Sequence, residues 1–255
     1  MDDILVYPAG DTPALRFACK ALFDRGLHIA DSPSDSVTHL LLPVPSFEAN
    51  GCIKGGDSLD SVLSRLPQSV AILGGNLGDA VPEDRTGIDL LQDPLYLAEN
   101  AAITAECAIR IAANHLPVIF CGCPVLIIGW GRIGKCLADK LKAMGANVTV
   151  AARKETDRAA LQSLGYRAKH PSRLLQVLGN YRIIFNTAPA PVITEEQANC
   201  LRSDSIKIDL ASQQGIFCQD VILARGLPNQ DAPESSGHLI AKTVLRLISE
   251  KEVSL

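Results

Sequence analysis

Four consecutive aliphatic residues, Val125, Leu126, Ile127 and Ile128, run straight into Gly129-Trp130-Gly131-Arg132-Ile133-Gly134. A turn with this glycine spacing, set between a buried strand and an amphipathic helix, is the fingerprint of a dinucleotide-binding βαβ unit. Both flanks are present, because residues 133–144 read as a helix closed by Gly145. Gly129 permits the tight turn. Gly131 brings main chain against a pyrophosphate with no Cβ in the way, and Gly134 lets helix and strand pack closely. The start of the helix then offers free N–H groups to the anion. Gly129, Trp130, Gly131, Arg132, Ile133 and Gly134 are therefore the first candidate cofactor contacts.

Around this unit short apolar runs alternate with amphipathic stretches, the pattern of an α/β protein. Strands are expected at 4–7, 37–42, 70–73, 125–128, 148–151, 182–186, 206–210 and 221–224. Helices are expected at 13–25, 58–65, 94–115, 133–144, 156–164, 172–178, 194–201 and 235–249, and the stretch 74–93 reads as loop. Parallel strands with helical crossovers give a doubly wound sheet. The expected organisation is a Rossmann domain over 116–234 and a smaller α/β domain over 1–115, with the C-terminal helix (within 235–255) joining the latter.

The strand at 148–151 is followed by Ala152, Arg153 and Lys154, with no acidic residue before Glu155. A site for NAD usually places Asp or Glu there for the ribose 2′-hydroxyl. Arg153 and Lys154 instead suit a 2′-phosphate, so NADP is expected, with NAD the alternative. Ligands of open α/β sheets bind beyond the carboxyl ends of the strands. That rule adds Asn186, Thr187, Ala188 and Pro189 after one strand, and Asp209, Ala211 and Ser212 after the next.

Other partner classes fit poorly. A net charge of −4 without a basic block argues against nucleic acid and against anionic membranes. The opening Met1-Asp2-Asp3-Ile4 lacks a basic n-region, and no apolar run approaches the roughly 18 residues of a membrane span. Eight cysteines with no C-x-x-C and no zinc spacing read as reduced thiols, with no metal site expected. A cytoplasmic protein is expected.

Several stretches together resemble the dipicolinate synthase A family. They are Leu42-Pro43-Val44-Pro45, Thr104-Ala105-Glu106, the glycine loop, Gly145-Ala146-Asn147-Val148-Thr149-Val150 with Ala152-Arg153, Asn186-Thr187-Ala188-Pro189, Ile208-Asp209-Leu210-Ala211-Ser212, and Gly226-Leu227-Pro228 with Ala232-Pro233 and Gly237. They follow the family's order over most of the chain. The resemblance implies a flavodoxin-like N-terminal domain and a Rossmann domain similar to that of D-2-hydroxyacid dehydrogenases. It also implies NADP, a small cyclic dicarboxylate substrate of the dihydrodipicolinate type, a role in sporulation and a flavoprotein-like second subunit. The chain departs from the pattern after Ser212, where only Gln213 to Asp220 precede the last strand and the family's Pro-Gly-Gly-containing loop and helix are missing.

Hydride transfer also needs a group that handles the proton. The Arg and His of 2-hydroxyacid dehydrogenases have no counterpart here, since Ala211-Ser212 and Arg225-Gly226 occupy the corresponding strand ends. Glu106, beside Thr104 on the 94–115 helix, and His238, at the start of the last helix, are the candidate catalytic residues. The Ser235-Ser236-Gly237 turn is a candidate carboxylate-binding helix start. Alternatives are a dehydrogenase of another small carboxylic acid and a dinucleotide-binding subunit without chemistry of its own. The apolar faces of the 94–115 and C-terminal helices suggest a homodimer.

Overall fold

The computed structural model of the protein describes residues 4–252. The last three residues of the expected C-terminal segment lie outside the described residues. The chain forms two compact α/β units.

The first unit holds β1 (Leu5–Pro8), α1 (Pro13–Phe23), β2 (His28–Ile29), β3 (His39–Leu41), α2 (Leu59–Leu63), β4 (Ala71–Gly74) and β5 (Gly87–Asp89). Its five strands are parallel, in the order β2-β1-β3-β4-β5. That is the doubly wound order of flavodoxin-like sheets. Thr12 caps α1 and Pro13 opens it, while Ala14, Leu15, Ala18, Ala21 and Leu22 form one buried face at helical spacing. The C-terminal α8 (Pro233–Glu252) packs along α1. A Cβ on Gly237 would come within 2.5 Å of Phe17 Cβ and 2.6 Å of the Ala14 carbonyl, so this glycine sets how closely the two helices approach.

The second unit, Ala101–Leu227, contains the rest of α3 (Pro94–His115), then β6 (Pro124–Ile128), α4 (Arg132–Ala143), β7 (Asn147–Ala151), α5 (Glu155–Ser163), β8 (Arg167–Lys169), β9 (Ile183–Asn186), α6 (Glu195–Ala198), β10 (Ile206–Asp209) and β11 (Val221–Leu223). Its six strands are all parallel, in the order β11-β10-β9-β6-β7-β8. Centred on β6, this is the Rossmann arrangement, with the order reversing between β6 and β9. The β6 side chains from Val125 to Ile128 are essentially inaccessible, as a strand covered on both faces requires.

The division falls inside α3, between Asn100 and Ala101, and not at residue 115. The second half of α3 belongs with α4, where Glu106 pairs with Lys140. The chain rejoins the first unit at Pro228, ahead of 235, because Asn229 on α7 (Leu227–Asp231) donates to the Val44 carbonyl. With these segments the first unit is as long as the second. The helix expected at 172–178 is instead two isolated 3-10 turns, Pro171–Arg173 and Leu178–Asn180. His170 caps the first of them, and its buried Leu174 and Leu178 keep the i, i+4 spacing without a continuous helix.

Candidate functional site

The glycine loop lies at the carboxyl end of β6, next to the point where the strand order reverses between β6 and β9. Three glycines do three different things there. Gly129 has φ +110°, and a Cβ on it would collide with Thr187 Oγ1. A Cβ on Gly134 would collide with the Gly129 carbonyl. These two are required by the protein's own packing. A Cβ on Gly131, in contrast, would meet nothing within 4 Å. Gly131 has extended backbone (φ −80°, ψ −170°) and is the N-cap of α4, and no side chain caps the helix. The open space thus lies where the first-turn N–H groups of α4 converge, at the positive end of the helix dipole.

The neighbouring strand ends complete this edge. The Gly129 amide donates to the Ala151 carbonyl at 2.9 Å, which ties the loop to the end of β7, and Arg153 and Lys154 follow, both exposed. Thr187 donates from both its amide (2.8 Å) and its hydroxyl (3.1 Å) to the Ile128 carbonyl, tying the end of β9 to the loop from the other side. Ala188, Pro189 and Ser212 remain accessible at the ends of β9 and β10, whereas Ala211 is buried.

Two candidate contacts have a different task from the one expected. Asp209 is 1 % exposed, and its carboxylate accepts from the amides of Ala211 (3.1 Å), Gly215 (2.7 Å) and Ile216 (2.9 Å). It also accepts from Asn186 Nδ2 at 2.9 Å, while Asn186 Oδ1 accepts the Ala188 amide at 3.0 Å. Both side chains are consumed inside the protein. They shape the β9 and β10 ends that would face a ligand and present no polar atom of their own. The backbone gives the reason: residues 210–220 connect two parallel strands without a helix, and a buried carboxylate gathers the amides that a helix would have satisfied.

Trp130 turns its indole onto Tyr166, edge to face at 6.0 Å, with Lys135 Nζ 5.8 Å from the ring centre. Its main chain stays in the loop while its ring covers the flank of α4. Arg132 is exposed and Ile133 half-buried on the first turn of that helix.

Glu106 does not join this constellation. The Glu106 carboxylate pairs with Lys140 Nζ at 2.7 Å, and that hydrogen bond raises the lysine's pKa. Lys140 stands eight residues past the start of α4, about 12 Å along its axis at about 1.5 Å per residue. Glu106 is a surface tie between helices. His238 lies on the exposed side of α8 in the first unit. Ser235-Ser236-Gly237 falls in the first turns of α8, where the Ser236 amide donates to the Ala232 carbonyl at 3.0 Å and Ser236 and Gly237 are buried. Sequence reasoning also misses the basic residues Lys169, His170 and Arg173, which lie one strand further out than β7.

Residues 115–208 match the family described as D-isomer specific 2-hydroxyacid dehydrogenase, NAD binding domain. Dipicolinate synthase A of Bacillus subtilis (strain 168) is 26% identical over 246 residues, covering 88% of this chain and 82% of that one. The crystal structure of dipicolinate synthase A from Bacillus halodurans superposes with a TM-score of 0.84 at 24% identity, over 96% of this chain and 97% of the other. The Bacillus subtilis structure superposes with a TM-score of 0.86 at 21% identity, over 100% and 99%. The resemblance seen in the sequence therefore extends along the whole fold, and residues 115–208 of the second unit are similar to the NAD-binding domain of D-isomer specific 2-hydroxyacid dehydrogenases. Among the described residues no helix is long and apolar enough to cross a membrane.

Proposed function

We propose that the protein is an NADP-dependent oxidoreductase of the dipicolinate synthase A kind, acting on a small cyclic dicarboxylate. The observation that carries this reading is the contrast among the glycines: Gly129 and Gly134 are glycine for the protein's own packing, whereas Gly131 faces open space at an uncapped helix start. An absent Cβ with no protein atom to justify it fits a diphosphate drawn in against the main chain. The amides at the start of α4 would hold that diphosphate, and Arg153 and Lys154 lie on the adenosine side. Thr187, Ala188, Pro189 and Ser212 would line the nicotinamide side. When bound, the nicotinamide supplies the hydride acceptor or donor. The chain's own contribution is orientation and exclusion of water along the β6, β9 and β10 ends.

A second reading has its own support. With Glu106 paired to Lys140 and Asp209 tied up by amides, neither of these carboxylates is free to handle a proton at the strand ends. That favours a subunit that binds dinucleotide and receives its proton-handling group from a partner, in keeping with the flavoprotein-like second subunit the resemblance implies. A homodimer in the cytoplasm is proposed for either case.

Titrating Trp130 fluorescence with NADPH and with NADH tests the cofactor. Tighter binding of NADPH supports the proposal, and equal or absent binding overturns it. Turnover of a dihydrodipicolinate-type substrate by this chain on its own, and then with the second subunit, separates the two readings. Activity of the single chain favours the enzyme, and activity only in the mixture favours the binding subunit.

A further inference from the structure

β8 is the outermost strand beside β7, with Ala151 opposite Lys169 and the Ala152 amide donating to the Lys169 carbonyl at 3.0 Å. Neighbouring strands lie about 4.8 Å apart. The end of β8 therefore lies beside the end of β7 that leads into Arg153 and Lys154. A recess of about 510 Å³ opens there between β8 and α5, lined by Arg158, Gln162, Lys169, His170, Ser172 and Arg173 and by no carboxylate. Among the described residues Arg153, Lys154, Lys169 and Arg173 take part in no ion pair. Like charges gathered without partners, in a chain of net charge −4, raise the energy of the empty recess and lower it when an anion enters.

Two local contacts give the recess a defined shape. Arg158 Nη1 donates to the carbonyls of Ala152 (3.0 Å) and Arg153 (2.5 Å), which fixes the β7–α5 turn and occupies two carbonyls that would otherwise repel an anion. His170 Nδ1 accepts the Ser172 amide at 3.2 Å, capping the Pro171–Arg173 turn. An imidazole that accepts at Nδ1 carries its proton on Nε2, where it can donate to a ligand oxygen.

We infer that Lys169 and Arg173, with His170 donating from Nε2, form a subsite for the 2′-phosphate of the adenosine ribose, so that the choice between NADP and NAD is made by the β8 end together with Arg153 and Lys154. The inference rests on the proposed function above and adds the residues that would set its specificity. Arg158 is a positioning residue, since its guanidinium is spent on main-chain carbonyls.

The test is calorimetric binding of NADPH, NADH, 2′,5′-ADP and 5′-AMP to the full chain, to Lys169→Ala/Arg173→Ala and to Lys169→Arg/Arg173→Lys. A charge-assisted contact is worth about tenfold in affinity. The double alanine variant is expected to lose about tenfold or more for NADPH and 2′,5′-ADP, with NADH and 5′-AMP within about twofold. Retained binding of those two shows that the variant is folded. The charge-conserving exchange is expected to recover most of the loss. If the alanine variant keeps the wild-type ratio of NADPH to NADH, the β8 subsite is wrong and the proposed cofactor stands. If the wild-type chain itself does not favour NADPH, the NADP proposal fails and the subsite fails with it.

Discussion

Replacing Gly131 by alanine separates a ligand-binding glycine from a packing glycine. The added methyl has no protein atom within 4 Å, and the residue's extended backbone suits alanine. The cost to the fold is confined to exchanging glycine for a poorer N-cap, about 1 kcal/mol at most. For a unit of this size that lowers Tm by roughly 2–4 °C. The cost to the cofactor is larger, because the methyl occupies the space in which a diphosphate would meet the first-turn amides. Losing one amide-to-phosphate bond costs about 1.5–3 kcal/mol, or roughly 10- to 150-fold in Kd. Gly134→Ala reverses the balance: its methyl collides with the Gly129 carbonyl, and the strain destabilises the fold by about 1–3 kcal/mol. Calorimetric titration with NADPH and a thermal melt of each variant measure both halves. A Gly131→Ala variant that binds NADPH as tightly as the parent refutes the argument, because the open space would then serve no diphosphate.

Three other outcomes follow from the same contacts. Asp209→Ala strips the acceptor from three buried amides and the Asn186 amide, so it is expected to cost about 3 kcal/mol or more in urea unfolding; a change below about 1 kcal/mol would show that the carboxylate does not organise residues 210–216. Glu106→Gln breaks only an exposed ion pair, so it should shift stability by less than about 0.5 kcal/mol and leave NADPH binding unchanged, whereas a large loss of turnover would return Glu106 to the catalytic candidates. Asp93 is opposed by burial, but the Tyr96 amide and the Arg246 guanidinium at 2.7 Å outweigh that and hold its pKa below the ordinary 3.8. A carboxylate depressed in the folded state stabilises above its unfolded pKa and loses that contribution as pH falls through the folded value. Asp93→Asn should therefore cost about 2 kcal/mol at pH 7 and progressively less below about pH 4; a cost independent of pH would exclude the charge as its source.

The parts of the fold legible in the sequence are those whose burial forces a pattern. The 94–115 helix and the central strand β6 stand out because one carries a long apolar face and the other is covered on both sides. The strands that escape such a reading, β2, β5 and β8, are all sheet edges. His28-Ile29, Gly87-Ile88-Asp89 and Arg167-Ala168-Lys169 have a neighbour on one side only, and edge strands are short and charged. An unrecognised β8 hides its basic end as well, although the regular βα alternation after Gly165 calls for another strand there. The glycine loop is legible because its chemistry is local. The Asn186–Asp209 pair is not, because it joins residues 23 apart that only sheet registration brings side by side.

The central claim is that the main chain at the start of α4 receives a diphosphate. A crystal structure of the protein grown with NADPH tests it most directly. Diphosphate oxygens about 3 Å from the amides of Arg132 and Ile133, over the face of Gly131, are the predicted result. Well-ordered NADPH bound elsewhere, with that helix start left to water, would contradict it.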